Sequence, residues 1–231
     1  MNQAATRPQL DFELCVRDGV PLDSERHGKQ MELFARLIEA EKSARGEKDY
    51  YVGTDMFVYY DVQQARAIAQ NPKTKKHFKG PDIFFVDNVP DRQREYWVVW
   101  EEDNRYPDVV VELLSPSTAE YDKRDKKTFY ETTLRTPEYF YYRPGTDELA
   151  GFRLKTSGYQ KIAPKPFGLW SRKLELYVGL WDGVYRGRDG QWLRLFDRDG
   201  QLVLTPEEAA QQRAEAAEAE IARLKALLHQ R

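Results

Sequence analysis

The sequence contains a single cysteine, Cys15, among its 231 residues. An intramolecular disulfide is therefore excluded, and a reducing compartment fits this composition best. No apolar run approaches the roughly 20 residues that a membrane-spanning helix needs. Residues 1–14 also lack the basic start and apolar block of a secretory signal. These absences together predict a cytoplasmic protein that does not associate with membranes.

A strong excess of charge of either sign is also missing, since the formal net charge is −2. The net charge therefore does not indicate a nucleic-acid-binding protein, although a local basic groove can bind phosphate whatever the total charge. Hydrophobic residues make up 41% of the chain and aromatic residues 13%. This content is enough for a packed core and argues against global disorder.

The length suits one full-sized domain with an extension. Residues 1–23 contain Pro8, Gly19 and Pro21, and we interpret them as an irregular N-terminal arm. Residues 24–204 mix helical and strand patterns and are predicted to form one α/β (α+β) domain. Residues 205–231 are predicted to form a separate C-terminal helix.

The segment from Pro107 to Lys126 is the one around which the domain is organised. It opens with a valine-rich run typical of a strand buried on both faces, yet Glu112 interrupts this run. A carboxylate is almost never fully buried without a partner, so Glu112 either points into a cleft or has a cation beside it. Pro116 ends the strand, and the two residues that follow it, Ser117 and Thr118, are suited to cap a helix.

The predicted helix after this strand carries Asp122, Lys126 and Tyr130 at spacings of four, so the three lie along one face. Upstream, Asp82 opens a second apolar strand directly after Pro81. Two strands that each present one acid, followed by a helix that presents a lysine, are typical of metal-dependent hydrolysis. Two carboxylates can hold Mg²⁺ beside backbone carbonyls and water, and the ion polarises a phosphodiester and activates a water. A nearby ammonium can orient that water.

A purely structural interpretation of the same residues stays open at this point. Asp82 can be a turn or strand-edge residue that follows a proline. Glu112 can pair with Lys126 in a buried ion pair that holds no metal. Spacing alone does not decide between these two interpretations.

The pattern of residues resembles the Uma-two family, which is placed in the PD-(D/E)XK superfamily of restriction-endonuclease-like nucleases. The matching residues are Pro81, Asp82, Glu112, Ser115, Pro116, Ser117, Thr118, Asp122, Lys126 and Tyr130. The resemblance covers residues 24–205. The chain departs from the superfamily signature at Leu114, where the signature has its lysine, so the resemblance implies that Lys126 takes over that role.

The resemblance implies a restriction-endonuclease-like mixed sheet flanked by helices, and a Mg²⁺- or Mn²⁺-dependent endonuclease that cleaves DNA. Asp82 and Glu112 would bind the metal, with the Leu113 carbonyl as a third ligand. Lys126 would orient the attacking water, and Asp122 would steer Lys126 or join the metal shell. The alternative is a catalytically inactive scaffold of the same fold that acts as an interaction protein.

Several other polar residues are weaker candidates. Ser24 is suited to cap an amphipathic helix that runs to about Arg45, and its Glu32 and Glu39 are either additional acids near the metal or part of a solvated face. A basic run before Asp82 either contacts phosphate or is a solvated loop; its members are Lys73, Lys75, Lys76, His77 and Lys79. Trp97 and Trp100 are interpreted as core or sheet cover and not as platforms for bases.

The second half of the domain has the pattern of a β-meander, with Asp182-Gly183 and Asp189-Gly190 among its turn signals. It contains no acid–base cluster and is predicted to extend the sheet. The predicted strands are residues 139–142, 149–154, 158–162, 174–178, 183–185, 192–196 and 202–204.

The C-terminal segment starts with a strong helix signal, a capping Thr205 followed by Pro206 and two acids. Apolar residues then repeat at alternating spacings of four and three, which is the heptad pattern of a coiled coil. These residues are Ala210, Ala214, Ala217, Ile221, Leu224 and Leu228. The seam predicts a homodimer, and folding of the helix back onto its own domain is the alternative.

Overall fold

The computed structural model describes residues 8–16, 24–73, 80–116 and 119–229, with residues 228 and 229 described by their backbone alone. Its centre is a six-stranded sheet with the order β1-β3-β5-β6-β7-β8. The strands of this sheet are β1 (Tyr50–Thr54), β3 (Ile83–Asp87), β5 (Val109–Leu113), β6 (Glu138–Tyr142), β7 (Leu149–Lys155) and β8 (Gly158–Lys161). β5 and β6 are parallel and the other neighbours antiparallel, so the predicted mixed sheet is confirmed.

Two smaller sheets accompany the central one. The strands β11, β10 and β9 form an antiparallel sheet, and β2 and β4 form a short parallel pair. These strands are β2 (Val58–Tyr59), β4 (Trp97–Val98), β9 (Leu169–Ser171), β10 (Leu176–Tyr185) and β11 (Arg188–Phe196).

The helices flank the sheets. α1 (Glu25–Ala44) and α2 (Val62–Gln70) precede the central strand, and α4 (Pro206–His229) ends the described chain. Between β5 and β6 lies α3, a continuous helical run that begins with Ala119–Tyr121 and ends with Tyr130–Leu134. α3 alternates α-turns with wider π-turns. The sequence predicted this helix and α1, and Ser24 caps α1 as expected, since its side chain accepts from the His27 N–H.

Strand β5 separates two hydrophobic cores. Its side chains alternate between faces, so Val109, Val111 and Leu113 pack in a core with α1, β10 and β11. Val110 points to the opposite face, into a core that it shares with Tyr130 of α3. Glu112 belongs to the same alternate set as Val110. The pleat of β5 therefore directs this acid towards α3.

Helix α2 was not predicted from the sequence. The sequence pattern indicates no helix between residue 62 and the basic run, but residues Val62–Gln70 form α2. Asp61 caps the helix by accepting from the N–H groups of Gln63 and Gln64. Ile68 is fully buried, so one apolar face is enough to hold this polar sequence in a helix. The basic residues at positions 75, 76, 77 and 79 lie outside the described residues.

The meander also departs from the predicted strand limits. Asp182-Gly183 and Asp189-Gly190 are not turns, because β10 and β11 run through both of them and pair Gly183 with Gly190. A side chain at Gly183 would collide with the Trp181 ring, so this glycine is required for packing. The turn lies at Arg186 and Gly187, which both have positive φ.

Several strands of the domain are short. Between residues 50 and 61 the chain forms two short strands, β1 and β2, with Asp55 at positive φ between them. β4 has only two residues and is followed directly by a 3₁₀ turn (Val99–Glu101). The predicted strand of residues 202–204 is reduced to one bridge, between Phe196 and Leu202, and β9 was not predicted. Trp97 is fully buried, as expected.

Glu102 links the loop before β4 to the chain that follows it. Its carboxylate accepts from Arg94 Nε at 2.7 Å and Arg94 Nη2 at 3.0 Å, and from Arg92 Nη2 at 2.6 Å. The Arg94 guanidinium in turn lies over the rings of Tyr51 and Trp97. Burial on its own raises the pKa of Glu102, but the two arginines outweigh it and hold this pKa below its ordinary value.

We expect Glu102→Gln to lower the free energy of unfolding by about 2 kcal/mol near neutral pH, because a buried hydrogen bond to a charged group is lost. A lowered folded-state pKa stabilises the protein above the unfolded-state pKa, and this contribution disappears as the pH falls through the folded-state value. The difference between wild type and variant should therefore shrink in acid. Urea denaturation at several pH values measures it, with the exposed Glu101→Gln as control. A pH-independent difference would contradict the assignment.

Candidate active site

The pairing of β3 with β5 brings the two predicted acids to one end of the sheet. Ile83 pairs with Val111 in the antiparallel ladder, so Asp82 and Glu112 occupy the next opposed position beyond it. Residues directly opposite each other on antiparallel strands lie on the same face. The strand register therefore places one carboxylate next to the other.

Asp82 is held at the start of β3 by two contacts. Its Oδ2 accepts from the Leu113 N–H at 2.6 Å, and its Oδ1 lies 3.3 Å from His27 Nε2. The backbone just before Asp82 is closely packed, because a side chain at Gly80 would collide with the Met56 carbonyl. The Asp82 side chain keeps 22% of its surface exposed, so it is accessible from solvent.

Glu112 is the buried member of the pair, with no exposed surface. Its Oε1 accepts from the Tyr130 hydroxyl at 2.7 Å, and its Oε2 accepts from Lys126 Nζ at 2.9 Å. Both partners lie on α3. The helix therefore satisfies each carboxylate oxygen and fixes the orientation of the group.

Asp122, Lys126 and Tyr130 lie on one face of α3, as their spacing predicts. Lys126 Nζ is 2.9 Å from Asp122 Oδ1 as well as from Glu112. In an α-helix with 3.6 residues per turn, residues four apart are rotated slightly past one full turn around the axis. The π-turns of α3 contain more residues per turn and rotate such residues the other way. The two kinds of turn together keep the three side chains on one face. The neighbouring Lys127 points elsewhere, with its Nζ 4.5 Å from the centre of the Phe152 ring.

Burial and the neighbouring charges together shift the pKa values of the cluster. Burial raises the pKa of Glu112 to about 8, with the charges of Asp82 and Asp122 adding to this effect and Lys126 opposing it. Burial alone would lower the pKa of Lys126, but the three surrounding carboxylates raise it above its ordinary value. For Asp82, burial alone would raise the pKa, but His27 and Lys126 together hold this pKa below its ordinary value.

The charges of the cluster do not balance when all its carboxylates are ionised. Asp82, Glu112 and Asp122 then carry three negative charges, against one positive charge on Lys126 and at most one on His27, which contacts Asp82. A surplus of buried negative charge is unfavourable without further neutralisation. The site is thus electrostatically suited to a cation next to Asp82 and Glu112.

The donor atoms of the cluster fit Mg²⁺ or Mn²⁺. Within the described ranges, no three His, Cys, Asp or Glu side chains are grouped so as to hold a metal ion by themselves. Mg²⁺ needs no such group, because it commonly binds through one or two carboxylates and completes its shell with water and substrate phosphate. Two adjacent carboxylates, one of them accessible, match this requirement.

His27 is the residue of this site that the sequence did not predict. It lies in the first turn of α1, is nearly buried, and contacts Asp82. The acids of α1 that the sequence offered lie elsewhere, and one of them, Glu32, is paired with Arg186 at 2.5 Å. No local signal links His27 to Asp82, since 54 positions separate them in the sequence and only the packing of α1 against the sheet joins them.

Other predicted features lie apart from the cluster. Glu39 borders a cleft of about 1140 Å³ between α1, β1 and the start of α4, and none of Asp82, Glu112, Asp122 and Lys126 lines this cleft. The candidate caps at positions 117 and 118 lie outside the described residues. The Ser115 carbonyl does accept from the N–H of Ala119, the first residue of α3, at 3.0 Å.

The fold and the site define a mixed-sheet α/β protein with a carboxylate–lysine cluster at the end of two adjacent strands. The model of the Uma2 family, described as "Putative restriction endonuclease", matches residues 6–185. The chain belongs to this family, and the resemblance noted in the sequence is confirmed. The family description supports a nuclease. The match ends at Tyr185, so β11 and α4 lie beyond it.

One solved structure that resembles this chain is described as a putative nuclease belonging to DUF820 from Anabaena variabilis ATCC 29413. The two share 12% sequence identity with a TM-score of 0.43, over 63% of this chain and 74% of that chain. No curated protein matches the chain. Among the described helices, none is both long and apolar enough to cross a membrane.

Proposed function

We propose that the protein is a metal-dependent endonuclease that hydrolyses phosphodiester bonds of DNA, with Mg²⁺ or Mn²⁺ bound by Asp82 and Glu112. The observation that carries this proposal is the placement of these two acids on adjacent strands, with Lys126 in contact with Glu112. Membership in the family described as "Putative restriction endonuclease" supports DNA as the substrate.

The Leu113 carbonyl would complete the protein ligands. The N–H of Leu113 donates to Asp82, and in an antiparallel strand the N–H and C=O of one residue point to the same side. The carbonyl of Leu113 is therefore directed to the side of the strand where Asp82 lies. Three oxygen donors of this kind suit a hard cation.

The bound ion would polarise the scissile phosphate and lower the pKa of an attacking water. Lys126 would orient that water or neutralise charge that develops on the phosphate. Asp122 would act on Lys126, because its carboxylate holds the ammonium at 2.9 Å. Tyr130 would keep Glu112 in place through its hydroxyl.

An inactive scaffold is the second candidate, and one observation favours it. Both oxygens of Glu112 already have partners, Lys126 and Tyr130, so the buried ion pair is complete without a metal ion. In this case the fold would serve as a platform for interactions through α4. Metal binding and cleavage distinguish the two candidates.

The deciding experiment is incubation of the full-length protein with pooled DNA and RNA substrates in Mg²⁺, in Mn²⁺ and in chelator. We expect cleavage of DNA that requires the metal ion. Absence of cleavage with every substrate and metal would contradict the enzyme and favour the scaffold. Cleavage confined to RNA would keep the site but change the substrate class.

Calorimetric titration with Mn²⁺ tests the ligands directly. We expect Asp82→Asn to weaken binding roughly tenfold or more, because an ionised oxygen ligand is replaced by an amide. Asp87→Asn is the matched control, since Asp87 ends the same strand and pairs with Lys42 instead. Equal affinity in wild type and Asp82→Asn would exclude Asp82 as a ligand.

A further inference from the structure

Helix α4 leaves the domain almost at once. Its first turn is anchored by a reciprocal cap between Thr205 and Glu208 and by the buried Arg194, which donates to both oxygens of Glu208. From Ala210 to Leu227 every side chain is exposed. In the structure, this helix therefore does not fold back onto its own domain.

The exposed helix carries a heptad seam on one side. Ile221 and Leu224 keep 52% and 47% of their surface exposed, and Leu227 beside them keeps 50%. Ala214 and Ile221 occupy the first (a) position of successive heptads, and Ala217 and Leu224 occupy the fourth (d) position. Leu228 continues the seam in sequence, and its side chain lies outside the described residues.

We infer that α4 pairs with the α4 of a second copy of this chain in a parallel, in-register coiled coil. A β-branched residue at a with leucine at d favours two parallel strands, and Ile221 with Leu224 meets this condition. The alanines at 214 and 217 allow the two helices to approach closely at the base. Burial of the stripe from Ile221 onwards provides the apolar driving force.

The charges beside the seam identify the partner and its direction. In a parallel pair, the seventh (g) position of one heptad faces the fifth (e) position of the next heptad on the partner helix. Arg213 at g thus faces Glu218 at e, and Glu220 at g faces Lys225 at e. Both contacts join opposite charges, and the two-fold axis makes each of them twice. An antiparallel pair would instead place g positions opposite g positions and e positions opposite e positions, so neither of these two g–e contacts would form.

The pairing places both domains at the same end of the coiled coil, because the two helices start from their domains side by side. A closed two-fold dimer of this kind contains two copies of the acid cluster. The inference does not depend on the proposed function, since it rests on residues of α4 alone.

Light scattering on the full chain at tens of micromolar tests the pairing. We expect the wild type to be a dimer and Ile221→Asp to be a monomer, because a charge in the seam prevents burial. Ala219→Asp is the matched control, since position 219 lies on the opposite side of the helix and should leave the dimer intact. A monomeric wild type, or a dimeric Ile221→Asp, would overturn the inference.

A charge exchange tests the direction. Glu220→Lys places two lysines in each contact and Lys225→Glu places two glutamates there, so each variant alone should dimerise roughly tenfold more weakly. When the two variants are mixed, opposite charges meet again and the mixed dimer should predominate. Native mass spectrometry measures the mixed species. A statistical mixture, or no gain in pairing on mixing, would overturn the parallel register.

Discussion

Replacement of Glu112 by glutamine is expected to lower the rate of metal-dependent DNA cleavage by roughly 10³-fold, because an ion that loses a carboxylate ligand stabilises the transition state by several kcal/mol less. Glutamine has nearly the same shape as glutamate and can still accept from Tyr130. The variant should therefore fold, which circular dichroism can verify. The loss would come from the charge of one buried group.

The control for this variant is Glu120→Gln, which removes an exposed acid at the start of α3. It should cleave DNA at the wild-type rate. Full activity of Glu112→Gln beside an active wild type would show that cleavage occurs elsewhere in the chain. Equal loss in both variants would indicate a general effect of charge on DNA binding and would contradict a specific role for Glu112.

Lys126→Ala is expected to reduce cleavage by roughly 10²-fold, the effect of removing one preorganised electrostatic group from an active site. Unlike the glutamine variant, it should also destabilise the metal-free protein by about 3 kcal/mol, because removal of one partner leaves buried charge without compensation. Lys126 is the cation in contact with both Glu112 and Asp122. Added Mn²⁺ should restore part of the lost stability.

Lys127→Ala is the matched control, since the adjacent lysine points to Phe152. It should keep full activity and lose about 0.5–1 kcal/mol of stability, the value of an exposed cation–π contact. Thermal denaturation and the cleavage assay together separate the two lysines. Loss of activity in Lys127→Ala with full activity in Lys126→Ala would reverse the assignment.

These two predictions also separate catalysis from structure. If Glu112 and Lys126 form only a structural ion pair, both variants should lower stability while metal binding and cleavage are absent in every form of the protein. A nuclease requires that Glu112→Gln loses activity and remains folded. Because Glu112 has no exposed surface, breaking a purely structural ion pair there should change the free energy of unfolding by an amount that denaturation can measure.

The sequence by itself determined which residues share a face. The twofold period of β5 separated Glu112 from Val111, and the spacing of four placed Lys126 on the same side of α3 as Asp122. The cap at Thr205 was also readable, because capping depends on residues within one turn. All these features depend on neighbours in the sequence, and the family pattern is built from the same local residues.

The tertiary structure alone decided which distant groups meet. His27 contacts Asp82 because α1 packs against the sheet, and the position of His27 in the sequence gives no sign of this contact. Gly183 was predicted to lie in a turn, but it lies within β10, where the Trp181 ring packs against it and leaves no room for a side chain. Glycine allows close packing in a strand as well as bending of the chain. Helix α2 is likewise stabilised by tertiary packing, because its apolar residues Ala65 and Ile68 are buried in a hydrophobic core. Contacts of this kind depend on packing between elements, which local period and spacing do not encode.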